Sequence, residues 1–258
     1  MKYPIFIPSR GRENTCLTAN LLLIENIDFL IVVEPQDLEK YSATFGNSKL
    51  LVMQENNQGI AYVRNFIKDY AKEKGYLYHW QIDDNIKNFR IRTNGKNEKT
   101  TAQYCLTQAE VFVDLYKNIG GVGLTHTAFA FSHKNPIEVN KQIYSCVLIK
   151  SDLPISYRKE TVDDTDFSLQ ILTLDNNYWC TLLLCRLLIE KAATLSMKGG
   201  NTEIEYKKEQ GLSGRELRTR GLIKQWPGIF KYTYQYGRIK VLPSTIWRKF
   251  PQRPYGKT

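Results

Sequence analysis

The chain has no Gly-x-x-x-x-Gly-Lys-Ser/Thr string and no Gly-x-Gly-x-x-Gly string, which disfavours P-loop and classical dinucleotide-binding folds. Cysteine is sparse: Cys16, Cys105, Cys146, Cys180 and Cys185 are odd in number and contain no Cys-x-x-Cys pair. A disulfide framework or zinc ribbon is therefore not expected, and a reducing cytoplasm is the simpler setting. Histidine is limited to His79, His126 and His133, and no nucleophile-elbow motif supports a Ser–His–Asp or Cys–His machine. The first eight residues lack the apolar stretch of a secretory signal, so none is expected. Runs such as 181–189 are too short or too charged to span a bilayer.

What is present is ample for a buried core. A chain of 258 residues, 42% of them hydrophobic, fits one large α/β domain or a domain with an appendage. The net charge of +10 is unevenly placed: residues 201–258 carry 13 Lys and Arg against 4 Asp and Glu, nine of the ten net charges. Aromatic residues (Trp226, Phe230, Tyr232, Tyr234, Tyr236 and Trp247) lie among these cations. Such a segment suits a polyanion, nucleic acid above all. A solvated basic surface, or an arm packed by its aromatic residues, is the plainer alternative.

Residues 3–8, 29–34, 49–54 and 76–82 read as short strands, with helices over 15–25, 36–45 and 60–74 between them. The continuous apolar runs suit strands covered on both faces, and the alternation argues a doubly wound sheet with right-handed crossovers. Further on, 107–118 and 163–174 read as helices, and 120–131, 142–150 and 179–188 as strands. A loop is expected at His133-Lys134-Asn135-Pro136, a charged helix near 203–220, and a hairpin turning at Tyr236-Gly237-Arg238.

In an open parallel sheet, ligands bind beyond the carboxyl ends of the strands. Four features fall there: Pro8-Ser9-Arg10-Gly11-Arg12, Glu34, the Asn57-Gln58-Gly59 turn, and Asp83-Asp84-Asn85. Adjacent carboxylates in a cleft suit a hard cation that also takes phosphate oxygens, although Asp-Asp-Asn is turn chemistry as well. Arg10, Arg12 and Arg64 are candidate phosphate partners, because guanidinium groups grip phosphate in a bidentate fork. Gln58-Gly59 before a helix offers free N–H groups to an anion. A second acidic group, Asp163-Asp164-Thr165-Asp166, precedes a helix. Its carboxylates suit either capping or a general base for an acceptor hydroxyl.

Taken in order, Ile7-Pro8-Ser9-Arg10-Gly11-Arg12, Gln58-Gly59-Ile60-Ala61 with Arg64-Asn65, Asp83-Asp84-Asn85, Asp163-Asp164-Thr165-Asp166-Phe167 and Gly199-Gly200-Asn201 resemble a known family. The set is similar to GT-A glycosyltransferases, and more narrowly to the TET-associated glycosyltransferases. These are phage-type enzymes predicted to glycosylate hydroxymethylated bases in DNA. The resemblance spans residues 3–205. It implies a GT-A-like doubly wound mixed sheet over residues 1–205, with 206–258 a basic, aromatic-rich extension packed on it.

The resemblance also implies roles. Pro8, Ser9, Arg10, Arg12, Glu34, Gln58, Gly59, Arg64, Asp83, Gly200 and Asn201 would surround a UDP-sugar, and Asp84 would hold Mn2+ or Mg2+. Asp164 would act as base with Asp166 beside it, and Arg215, Arg218, Arg220, Lys224, Lys231, Arg238 and Lys240 would contact DNA. Asn85 stands where many relatives have a third carboxylate, and no histidine follows His133. The expected activity is inverting transfer of a sugar to 5-hydroxymethylcytosine, in the cytoplasm of an infected bacterium. The alternatives are a protein, lipid or polysaccharide acceptor, or a catalytically inactive DNA-binding module. A metal-dependent nuclease is a weaker option.

Overall fold

The structure is a computed structural model, and it describes residues 1–192, 198–200, 208–209, 212–235, 238–242, 246–247 and 249–256. The first half alternates β1 (Ile5–Pro8), α1 (Leu17–Ile24), β2 (Leu30–Val33), α2 (Leu38–Phe45), β3 (Leu50–Val52), α3 (Ile60–Glu73) and β4 (Tyr78–Ile82). These four strands pair in parallel in the order β3-β2-β1-β4. Alternate side chains face opposite layers, as strand geometry requires. Ile5, Ile7, Ile31 and Val33 pack with Leu22 of α1 and Tyr41 of α2. Phe6 and Val32 pack with Val63, Ile67 and Ala71 of α3. Burial on both faces is why these strands are continuously apolar.

The second half continues the sheet with β5 (Ile86–Thr93), β6 (Lys96–Thr100), α4 (Ala102–Leu115), β7 (Ile119–His126), β8 (Ile137–Val139), β9 (Cys146–Lys150), α5 (Asp163–Thr173) and β10 (Cys180–Lys191). The sheet then runs β4-β9-β7-β10-β5-β6, with β8 paired to β10. β9 lies antiparallel to β4 and to β7, whereas β10 is parallel to β7. The carboxyl ends of β1, β4, β7 and β10 therefore share one edge of the sheet. This is the doubly wound mixed sheet expected.

Three expectations shift. The helix read at 107–118 lies at Ala102–Leu115, because Thr101 caps it by accepting from the Tyr104 N–H at 3.1 Å. The β5–β6 hairpin was not anticipated. The helix read near 203–220 is α6 (Gly214–Gln225), started by a capping box in which Ser213 and Glu216 satisfy each other's backbone N–H. Residues 203–207 and 210–211 of the expected helix, and the 205/206 boundary, lie outside the described residues.

Short strands β11 (Lys208–Glu209) and β12 (Leu212–Ser213) pair before α6, and β13 (Lys231–Gln235) pairs with β14 (Arg238–Leu242) after it. The expected hairpin is thus present, although its turn residues Tyr236 and Gly237 lie outside the described set. Leu222, Phe230, Ile246 and Trp247 form a small core with Leu169 and Leu172 of α5. Near the end of the chain, Asn118 donates to the Arg253 carbonyl and accepts from the Tyr255 N–H. All five cysteines are buried and unpaired. Among the described residues no helix is long and apolar enough to cross a membrane.

Candidate functional site

The carboxyl ends of β1, β2, β4 and β10 and the amino ends of α3 and α5 enclose one cleft. Pro8, Ser9, Arg10, Arg12, Glu34, Gly59, Arg64, Asp83, Asp84, Asp164 and Gly200 all line it. Gln58 does not; its side-chain amide donates to the Asn56 carbonyl. Asn201 lies outside the described residues. Arg218, expected to contact DNA, lines the cleft as well.

The loop after β1 is held from two sides. Gly11 N–H donates to Asp37 Oδ2 at 3.0 Å, and Gly200 N–H donates to the Arg10 carbonyl at 2.8 Å. Arg12 extends beneath residues 198–200, donating to the carbonyls of Lys198 and Gly199, both at 3.1 Å. Gly200 has φ +68°, and a methyl group there would stand 2.6 Å from Arg12 Nη2. Only glycine meets both demands. The Gly-Gly segment is therefore a lid on the arginine loop. Arg10 reaches Asn57 Oδ1 at 2.5 Å and Glu34 at 3.5 Å, which ties the β1 and β2 ends to the turn before α3.

The four aspartates are each matched to a cation or a donor. Arg12 Nη1 lies 2.7 Å from Asp84 Oδ1, and Ser9 Oγ donates to Asp84 Oδ2 at 2.7 Å. Burial pushes the Asp84 pKa above the ordinary carboxylate value, while Arg12 and Ser9 pull the other way. Asp83 lies 3.1 Å from Arg64 and 2.6 Å from Lys191 Nζ. Burial would raise its pKa, but Lys191 and Arg64 outweigh that and hold it below the usual range. Arg64 sits at the centre, 3.3 Å from Asp163 and 3.6 Å from Asp164 as well. Asp164 is pushed up to about 7 by burial and by Asp163, with Arg64 opposing.

Asp166 is not brought into the cleft. It is fully buried on the far side of α5, where it accepts from Trp226 Nε1 at 2.7 Å, Gln170 at 2.8 Å and Arg158 at 3.2 Å. Its carboxylate anchors the segment after α6 rather than facing a substrate. The aromatic residues of the basic segment divide likewise: Phe230 and Trp247 are core, and Tyr234 is exposed. Arg215, Arg220 and Lys224 are exposed on α6, while Lys231, Arg238 and Lys240 lie on the β13–β14 strands. His79 is structural: it is buried against Ser151 and Gln81, and burial lowers its pKa to about 3. His126 stays outside the cleft lining, with Nδ1 accepting from the Ala128 N–H.

Lys191 escaped the sequence reading, as did the apolar wall of Met53, Ile60 and Val63. A signal existed. Glu190-Lys191 ends an apolar strand, and the carboxyl-end rule places such a polar terminus at the ligand edge. Asn85 fixes Lys191 in place: the Ala192 N–H donates to the Asn85 carbonyl at 2.9 Å, and Asn85 Nδ2 donates to the Ala192 carbonyl at 3.2 Å. A carboxylate at position 85 has no N–H to make the second bond.

The donor set fits Mn2+ or Mg2+ poorly. Both oxygens of Asp84 are engaged by Arg12 and Ser9, and both oxygens of Asp83 by Arg64 and Lys191. A divalent cation there would stand against an ammonium and two guanidinium groups. Among the described residues that line the cleft, the one buried side-chain oxygen without a partner is the amide Oδ1 of Asn85, a neutral ligand. Among the described residues, the side chains grouped closely enough to hold a metal are His133, Glu138 and Cys185, none of which lines the cleft.

A family model described as TET-Associated Glycosyltransferase matches residues 3–200. No curated protein matches the chain. Among solved structures, a "putative nucleotide-diphospho-sugar transferase" from Desulfovibrio desulfuricans G20 is similar over 87% of this chain and 94% of that one, with 13% identity and a TM-score of 0.45.

Proposed function

The chain belongs to the TET-associated glycosyltransferase family, and from that premise we propose that it moves a sugar from a UDP-sugar to the hydroxymethyl group of 5-hydroxymethylcytosine in DNA. One observation carries this reading. Asp164, a carboxylate pushed up to about 7, lines the same cleft as Arg10, Arg12 and Arg64. A cleft carboxylate raised in this way can take a proton from a hydroxyl. The arginines suit a diphosphate, and Pro8, Glu34 and Met53 form the wall for base and ribose.

The step is a single displacement. The acceptor oxygen attacks the anomeric carbon, and its proton passes to Asp164. The bond from that carbon to the diphosphate breaks, and the electron pair stays on the departing oxygen. The product has inverted configuration. Asp163 supports Asp164 by its charge, with its carboxylate 3.3 Å from Arg64 Nε.

A DNA acceptor requires phosphate contacts beside the cleft. α6 supports this reading, because Arg218 lines the cleft and Arg215, Arg220 and Lys224 are exposed on the same helix. The test is incubation with candidate UDP-sugars and hydroxymethylated duplex, followed by mass analysis of the released nucleosides. A hexose or pentose increment on 5-hydroxymethylcytosine, absent from unmodified cytosine, is expected. No increment with any donor overturns the proposal.

A further inference from the structure

We infer that Lys191, together with Arg64, supplies the positive charge that neutralises the donor's diphosphate, so that donor binding requires no divalent cation. The inference rests on the reading of this cleft as a UDP-sugar site.

Three observations converge on it. First, the position is built. Lys191 ends β10 at the ligand edge of the sheet, where the pairing with β5 shifts register between Glu190 and Lys191. The residue after it is clamped by Asn85 through two hydrogen bonds, one in each direction. Asn85 occupies the place where a third acidic residue would extend a metal site, and it serves the lysine instead.

Second, the ammonium is only partly committed. Its Nζ is 2.6 Å from Asp83 Oδ2 and 2.8 Å from Ser145 Oγ, and it lines the cleft with its side chain 16% exposed. An ammonium has three donors, so one remains for a phosphate oxygen. Third, the carboxylates expected to hold a metal are already matched to Arg12, Arg64 and Lys191. As the bond to the sugar breaks, negative charge grows on the departing diphosphate. Lys191 and Arg64 stand where they can receive it without the desolvation that a hydrated cation demands.

The experiment is calorimetric binding of UDP and UMP to the full chain, in EDTA and again in Mn2+. Wild type is expected to bind UDP in EDTA within about threefold of its affinity in Mn2+. Lys191→Met should weaken UDP by about tenfold or more while changing UMP much less, because the second phosphate loses its charged partner. Lys191→Arg keeps the charge and should retain most of the UDP affinity. If Lys191→Met fails to fold, the wild-type EDTA comparison and Lys191→Arg still decide. UDP binding by wild type only when Mn2+ or Mg2+ is present overturns the inference and leaves the donor-site reading standing, as does an unchanged UDP affinity in a folded Lys191→Met. UDP binding under neither condition overturns both.

Discussion

Arg12 and Asp84 meet at 2.7 Å inside the wall of the cleft, and water is almost wholly kept from both side chains. The carboxylate also accepts from Ser9, and the guanidinium also donates to two carbonyls of the covering glycine segment. The pair thus joins the loop after β1, the end of β4 and residues 198–200 into one unit.

Removing one partner strands the other. Arg12→Leu leaves Asp84 buried without its counter-charge and should cost about 3–5 kcal/mol in urea unfolding. Arg12→Leu with Asp84→Leu should recover part of that loss. A single variant as stable as wild type would show that the pair contributes little to the wall.

Gly200→Ala should act on the same unit from above. The added methyl meets the Arg12 guanidinium, and φ +68° strains any side chain. A rise of the donor KM by about tenfold is expected, with a smaller effect on kcat. Steady-state kinetics at saturating acceptor separates the two, and unchanged KM would count against the lid role.

Asp164 sets the pH dependence. Activity should rise as pH passes through about 7, because the base must be ionised. Asp164→Asn should lose about 100-fold or more in kcat with UDP affinity nearly unchanged. Stability runs the other way. The folded pKa is raised, so between the unfolded carboxylate range and about 7 the folded state holds a proton that the unfolded state has released. Stability therefore falls as pH rises through that window, and Asp164→Asn should be the more stable protein at pH 8. Equal denaturation midpoints at pH 5 and pH 8 would remove the basis for this assignment.

Asp166 should behave as an anchor. Asp166→Asn weakens the bonds to Trp226 and Arg158, and a loss of about 2–3 kcal/mol is expected with kcat per folded molecule preserved. A large fall in kcat with unchanged stability would return Asp166 to the chemistry.

The exposed cations of α6 should act through phosphate. Replacing Arg215, Arg220 and Lys224 with Ala should weaken DNA binding for modified and unmodified duplex alike and reduce the salt slope by roughly one per lost contact. An unchanged slope would place the DNA elsewhere.

The parallel half was legible because burial on both faces writes itself as unbroken apolar runs between helices. The β5–β6 hairpin was missed although Asn94-Gly95, with φ of 49° and 80°, is the strongest short turn signal a sequence carries. Its strands are rich in charge, so no apolar run announced them. Asp83 and Asp84 were legible from a strand end, and Arg64 from the helix that follows the Gln58-Gly59 turn. Lys191 was not, because its role depends on the end of a twelve-residue strand that is placed relative to β4 only across the intervening β9 and β7. The roles of Asp166 and Asp164 differ by half a helical turn, and no acidic cluster discloses which of its members faces inward.

The five unpaired cysteines, each shielded in the core, leave the surface free of native thiols. A single cysteine introduced on the exposed side of α6 would then be the preferred target of a maleimide dye. Arrival of a duplex at that helix could be followed by fluorescence in real time, without first removing any native residue.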